Sequence, residues 1–241
     1  MLLTLSAVQM RAQEYDSPEY ISLGREKART KVVPYPTAEE AQRLGAGMVE
    51  SKFVRPIKEW TRTEEEDAVV FSSKYVIPFV WLSRMAILYV DEASGAYEVI
   101  INGKKVGYSA NAFTPAEFNV TKASKENVNT ISIRVLKDHF SRKMECFNEN
   151  TEPRIGEVFV MSQPMIRVRD ILHKTNVDMK SEYANVELGL VVKTETLNPK
   201  KARIHYELLA PDTTVVTYGH RDVTIGMREE DTIKFTAQIP Y

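Results

Sequence analysis

The stretch Tyr97-Glu98-Val99-Ile100-Ile101-Asn102-Gly103-Lys104-Lys105-Val106-Gly107-Tyr108 constrains the fold of this chain more than any other. A run of aromatic and β-branched residues meets Asn-Gly, the pair that tolerates positive φ at both centres of a two-residue hairpin turn. A second strand, Lys105 to Tyr108, then returns antiparallel. Tyr97, Val99 and Ile101 share one face and are assigned to the core; Glu98 and Ile100 share the other. Further strands are predicted over 53–60, over 68–77 with Pro78 as the stop, and over 85–90, 129–136 and 157–161. Short strands separated by turn residues at roughly 8–12-residue spacing predict an all-β sandwich. Thr37 to Ala41 is predicted as a short helix, with Thr37 as N-cap and Glu40 three residues on.

The chain has 241 residues, 43% hydrophobic and 27% charged, which permits a packed core and one large or two ordinary domains. Lys+Arg 32 against Asp+Glu 33 leaves no basic surplus for a nucleic acid. The Arg167-Val168-Arg169 run is predicted as the solvent face of a strand. No run approaches the ~20 apolar residues of a membrane span. One cysteine, Cys146, excludes an intrachain disulfide. Residues 1–13 have the apolar texture of a signal-peptide remnant, so an exported (periplasmic or extracellular) protein is expected. The acidic clusters Glu64-Glu65-Glu66-Asp67 and Glu229-Glu230-Asp231 are predicted as solvated turns between strands. No phosphate loop, zinc helix or nucleophile elbow occurs, so no cofactor is expected; the single histidines His139, His173, His205 and His220 lack metal-ligand spacing, so no metal is expected either.

Past Pro164 the texture stays β: 165–171, 184–192, 202–209, 214–218 and 232–237 read as strands of a new unit.

Three sets of residues together carry a family resemblance. They are Asn102-Gly103-Lys104-Lys105-Val106-Gly107-Tyr108-Ser109, then Thr114-Pro115-Ala116-Glu117-Phe118-Asn119-Val120-Thr121, and, earlier, Arg25-Glu26, Pro34-Tyr35 and Glu39-Glu40-Ala41. This pattern resembles the N-terminal domains of β-galactosidase-like glycoside hydrolases of family two. The resemblance implies a galactose-binding-like jelly-roll sandwich over 20–164 and an immunoglobulin-like sandwich over 165–241. The latter is expected to be partial, because such a sandwich takes about 100 residues. It further implies that catalysis resides in a (β/α)₈ barrel of roughly 250 residues, for which this chain has no segment, so no catalytic residue is assigned.

In the family one loop of the jelly roll reaches the active site. Here that loop is Glu145 to Glu157; its second acid position holds Phe147, its tryptophan position Glu149 and its arginine position Asn150, while Glu145 keeps the first acid in kind. Carbohydrate sites on sandwiches combine an aromatic face with amides and carboxylates. The glycan-contact candidates are therefore Phe113, Phe140, Glu145, Phe147 and Asn148; the alternative for the three phenylalanines is core packing. Two function classes stay open: a non-catalytic, β-galactosidase-like accessory to glycan degradation, and a protein-interaction module without sugar affinity. The expected partners are a glycan, a catalytic barrel, or a second copy docking on an open strand edge.

Overall fold

The computed structural model describes residues 20–45, 51–139, 141, 152–177 and 180–240. The molecule divides into two compact units. One runs to Ala28 and then from Pro34 to Gln163; the other combines Arg29–Val33 with the chain from Pro164 onward.

The first unit is a jelly-roll sandwich of two antiparallel sheets. Its strands are β1 (Ser22–Leu23), β2 (Val54–Pro56), β3 (Thr61–Glu64), β4 (Ala68–Ile77), β5 (Met85–Val90), β6 (Tyr97–Ile101), β7 (Lys104–Ser109), β8 (Ala116–Asn119), β9 (Asn127–Leu136) and β10 (Val158–Gln163). The six-stranded sheet has the order β1-β7-β6-β9-β4-β3, and the four-stranded sheet β2-β10-β5-β8. The period-2 rule builds the core. Odd positions of β4, β6 and β9 (Phe71, Val99, Ile133) meet even positions of β5, β8 and β10 (Leu88, Phe118, Val160) in one cluster. Gly107 belongs to this seam: a Cβ there would lie 2.2 Å from the Phe118 ring.

The β6–β7 hairpin turns as the sequence requires, with φ 50° at Asn102 and φ 75° at Gly103. Asn102 also ties the turn to the next strand. Its Nδ2 donates to Ala123 O at 2.9 Å and Asn129 Oδ1 at 2.8 Å, and its Oδ1 accepts from Thr130 N at 3.0 Å. Asn129 is fully buried yet satisfied: Oδ1 also accepts from Lys125 N at 2.8 Å, and Nδ2 donates to Lys125 O at 2.8 Å and Asn127 O at 3.1 Å. The predicted short helix is α1 (Ala38–Leu44), with Thr37 Oγ1 accepting from Glu40 N at 3.2 Å.

One expectation for the first unit is corrected and another holds in its larger part. The strand expected over 53–60 pairs only over Val54–Pro56, because Glu59 takes φ 60° and Trp60 Nε1 closes onto Ile57 O at 3.1 Å. The acidic stretch after it holds as expected for Glu65, Glu66 and Asp67, which are exposed in the connection between β3 and β4; Glu64 alone belongs to a strand. Thr61–Glu64 forms edge strand β3 on β4, exposed throughout, as a charged edge strand tends to be. Beyond it Glu65 Oε2 (2.8 Å) and Asp67 Oδ1 (2.5 Å) bind Arg134 of β9.

The second unit is an immunoglobulin-like sandwich with β11 (Ile166–Val177), β12 (Tyr183–Thr194), β13 (Lys200–Leu209), β14 (Val215–Ile225) and β15 (Glu230–Pro240). The sheet β11-β12-β15 faces the sheet β13-β14. Leu190, Val192, Ile204, Ile225, Ile233 and Phe235 form its core. The expected solvent face at Arg167 and Arg169 is overturned, since they are 8% and 5% exposed. A bulge between Val168 and Asp170 shifts the register of β11 against β12. Arg167 lies 3.6 Å from Glu195 and Arg169 3.4 Å from Glu230, so each buried cation has a carboxylate. Glu230 therefore belongs to a strand rather than to a turn.

Candidate functional site

Three connections of the jelly roll converge: β5–β6 (Asp91 to Ala96), β7–β8 (Ala110 to Pro115) and β9–β10 (Lys137 to Glu157). Sequence-local turns do not hold them; bonds across long separations do. Phe113 N donates to Ala93 O at 3.0 Å, Ser94 N to Arg154 O at 3.0 Å, Gly156 N to Glu92 O at 2.9 Å, and Asp91 N to Glu157 O at 2.9 Å. Arg154 N returns a bond to Ser94 Oγ at 2.9 Å, and Ala93 bridges Ile155. The end of the β9–β10 connection is thus laced to the β5–β6 loop.

Phe113 sits on this lattice. It is half-buried and takes φ 55°, a backbone conformation uncommon for a non-glycine residue. The Arg154 guanidinium lies 5.4 Å from the ring centroid, and Glu92 Oε1 holds Arg154 Nη1 at 2.5 Å. Aromatic ring, guanidinium and carboxylate therefore form one contiguous group. Next to it Tyr89 donates its hydroxyl to Asp91 Oδ1 at 3.0 Å.

The start of the β9–β10 connection has its own anchor. His139 is 3% exposed, and its Nε2 lies 2.7 Å from the Tyr108 hydroxyl. Ser141 N donates to His139 Nδ1 at 3.2 Å. The Ser141 hydroxyl lies 2.9 Å from the same Nδ1, so both ring nitrogens have a hydrogen-bond partner. Tyr20 stacks on Tyr108 with centroids 5.7 Å apart. Outward from Tyr108, the six-stranded sheet carries a charge ladder across β7, β6 and β9: Lys105 to Glu98 at 2.6 Å, and Glu98 to Arg134 at 3.5 Å. The hydrogen bond from Arg134 holds the Asp67 carboxyl below its ordinary range, and the bond from Lys137 does the same for Glu64.

Of the five glycan-contact candidates, the structure places Phe113 in the converging loops. Phe140, Glu145, Phe147 and Asn148 lie outside the described residues. Arg154 and Glu92 escaped the sequence reading. They are ordinary charged residues 62 positions apart, and the bonds that lace 92–94 to 154–156 bring them together. His139 escaped too, because its partners come from β7 and from two residues downstream. Among the described residues no group of three or more His, Cys, Asp or Glu side chains converges as metal ligands do.

Residues 9–162 match the family described as glycosyl hydrolases family 2, sugar binding domain. A β-galactosidase of Priestia megaterium is 28% identical over 195 residues, covering 77% of this chain and 16% of that protein. A β-galactosidase of Clostridium acetobutylicum is 33% identical over 104 residues, covering 42% of this chain and 12% of that protein. The chain thus spans a small part of these relatives' length. Among solved structures, a β-glucuronidase of Bacteroides uniformis aligns with TM-score 0.63 at 17% identity, over 73% of this chain and 22% of its own. A β-D-mannosidase of Dictyoglomus thermophilum aligns with TM-score 0.58 at 14% identity, over 78% and 31%. At those identities the likeness is one of fold.

Proposed function

The chain belongs to glycoside hydrolase family 2 through its sugar-binding domain, and from that premise we propose that it serves glycan degradation as a non-catalytic, glycan-contacting part. The observation that carries this reading is the group Phe113, Arg154 and Glu92 on the laced loops. In this reading a sugar lays its C–H face on the Phe113 ring. Its hydroxyls accept from the Arg154 guanidinium and donate to the Glu92 carboxylate. Phe140, Glu145, Phe147 and Asn148, which lie outside the described residues, are the further candidates for this contact. The names of the relatives make β-galactosides the first ligands to try.

Glycoside hydrolysis needs two carboxyls roughly 5–9 Å apart, one of them with a raised pKa. The carboxyls of Glu65 and Asp67 meet on Arg134, and there Asp67 is lowered instead. Turnover in this reading therefore depends on a catalytic barrel as partner. Among the described residues no helix is long and apolar enough to cross a membrane. Export is part of the proposal on the strength of residues 1–13, which lie outside the described residues. A second reading, an interaction module without sugar affinity, is favoured by strand edges of the second unit that have no partner among the described residues.

The test is titration calorimetry of the pure chain with β-galactosides and plant oligosaccharides. A saturable heat is expected, and Phe113→Ala should weaken it by about tenfold, the worth of one aromatic contact. Absence of heat with every sugar would overturn glycan contact. Release of nitrophenol from a nitrophenyl galactoside would overturn the non-catalytic part.

A further inference from the structure

One group of cations in the first unit has no matching carboxylate. Arg134 is held by Glu65 and Asp67, and Arg154 by Glu92. Arg84, the residue before β5, has only Ser162 of β10: its Nε donates to Ser162 Oγ at 2.7 Å and its Nη2 to Ser162 O at 3.1 Å. Burial with no acid beside it pulls this guanidinium below its ordinary pKa range. The two bonds occupy the side edge of the guanidinium. The end edge, with both Nη1 protons and the second Nη2 proton, meets no acceptor among the described residues.

The head of Arg84 is fixed in place. Its Cζ lies 4.2 Å from the Phe53 ring centroid, and Phe53 is itself tied to β10, its O accepting from Ser162 N at 2.8 Å. Lys52 Nζ lies 6.0 Å from the same centroid, so the two charges are at most about 10 Å apart, within one screening length. Arg55 adds a third cation, 5.8 Å from the Trp81 ring. Neither Lys52 nor Arg55 has an ion-pair partner among the described residues. Like charges gathered on one ring repel, and an anion between them removes that cost.

We propose that the end edge of Arg84, with Lys52 beside it, binds an oxyanion group: the carboxylate of a sugar acid, a sulfate or a phosphate. The chemistry of the free edge selects that class. Its parallel N–H groups lie in one plane and match two oxygens of one oxyanion, in bonds roughly twice as strong as neutral ones. A metal cation is repelled there, and a neutral sugar gains no charge-assisted bond. Lys52, on a flexible stem, brings a point charge to a remaining oxygen. Arg84 precedes β5 and Glu92 follows it, so the length of that strand, about 20 Å, separates this site from the Phe113 group. The proposal is independent of the glycan reading.

Titration calorimetry of the full chain with galacturonate, inorganic sulfate and inorganic phosphate, each against sodium chloride of equal ionic strength, tests it. At least one should give a saturable heat with a Kd of about 1 mM or below, and which of them does so identifies the oxyanion. Arg84→Lys keeps the charge and loses the planar fork, and should weaken binding by about tenfold. Lys52→Gln should weaken it by about threefold or more; Lys52 is exposed and holds no strand in place, so this variant tests the site even where Arg84→Lys disturbs the Ser162 bonds. Far-UV circular dichroism verifies folding. Phe113→Ala should leave the Kd unchanged, which separates this site from the glycan contact. No saturable heat with any of the three would overturn the proposal. So would a heat that sodium chloride reproduces, or a Kd that Arg84→Lys and Lys52→Gln both leave unchanged.

Discussion

Replacing Asn129 with alanine should cost the first unit more than an average core truncation. The side chain makes four hydrogen bonds while fully buried: two accepted, from Lys125 N and Asn102 Nδ2, and two donated, to Lys125 O and Asn127 O. At about 1 kcal/mol net per bond the loss is roughly 4 kcal/mol. Water that reaches the exposed neighbours Lys125 and Asn127 would recover part of it, which sets a floor of about 2 kcal/mol. Trp60 and Trp81 both lie in the first unit, so tryptophan fluorescence follows its unfolding separately from that of the second. With a urea slope of ~2 kcal/mol/M, the midpoint should fall by about 1–2 M. The turn residue gives an internal control. Asn102 shares one of the four bonds, so Asn102→Gly, which keeps the positive φ, should be less than additive with Asn129→Ala by about 0.5–3 kcal/mol. A midpoint shift under ~0.3 M for Asn129→Ala, or strict additivity of the pair, would refute the view that this knot holds the hairpin to β9.

Gly107→Ala should destabilise the same unit by about 1–3 kcal/mol, measured by the same fluorescence melt, because the new methyl meets the buried Phe118 ring at 2.2 Å. The effect should shrink in a Phe118→Leu background if the ring is the obstacle. Asp67 is held low by Arg134. A carboxyl whose folded pKa lies below its unfolded value, ~3.9, adds stability above that value and loses it as pH falls through the folded one. Asp67→Asn should therefore flatten the acid limb of the first unit's stability profile below about pH 4. The side chain is 69% exposed, so the effect at neutral pH should stay under ~1 kcal/mol in urea titrations.

Local chemistry made part of the fold legible before any contact was known. Asn102-Gly103 demanded its turn, Thr37 capped its helix, and the runs at 68–77 and 85–90 became β4 and β5 with the same bounds. The misses share a cause. Thr61–Glu64 has no apolar face to betray a strand, because an edge strand of charges is stabilised by the neighbour it pairs with. Arg167 and Arg169 alternate like a solvated face, but the fold buries them beside Glu195 and Glu230. β5 and β10 are buried on both faces, and alternation cannot separate that from one buried face. At the candidate site Phe113 was legible as an aromatic beside a suspect loop; its Arg154 cover and the Glu92 clamp were not.

The sequence by itself determined where strands run, which side chains share a face, which turn closes the central hairpin, and the family pattern they compose. These follow from φ preferences and a two-residue period, which act between neighbours in the chain. The tertiary structure decided what covers each face. It made Arg154 a neighbour of Phe113 and His139 a hydrogen-bond partner of Tyr108. Those outcomes depend on contacts between residues dozens of positions apart, and pairing at that range depends on how whole sheets stack.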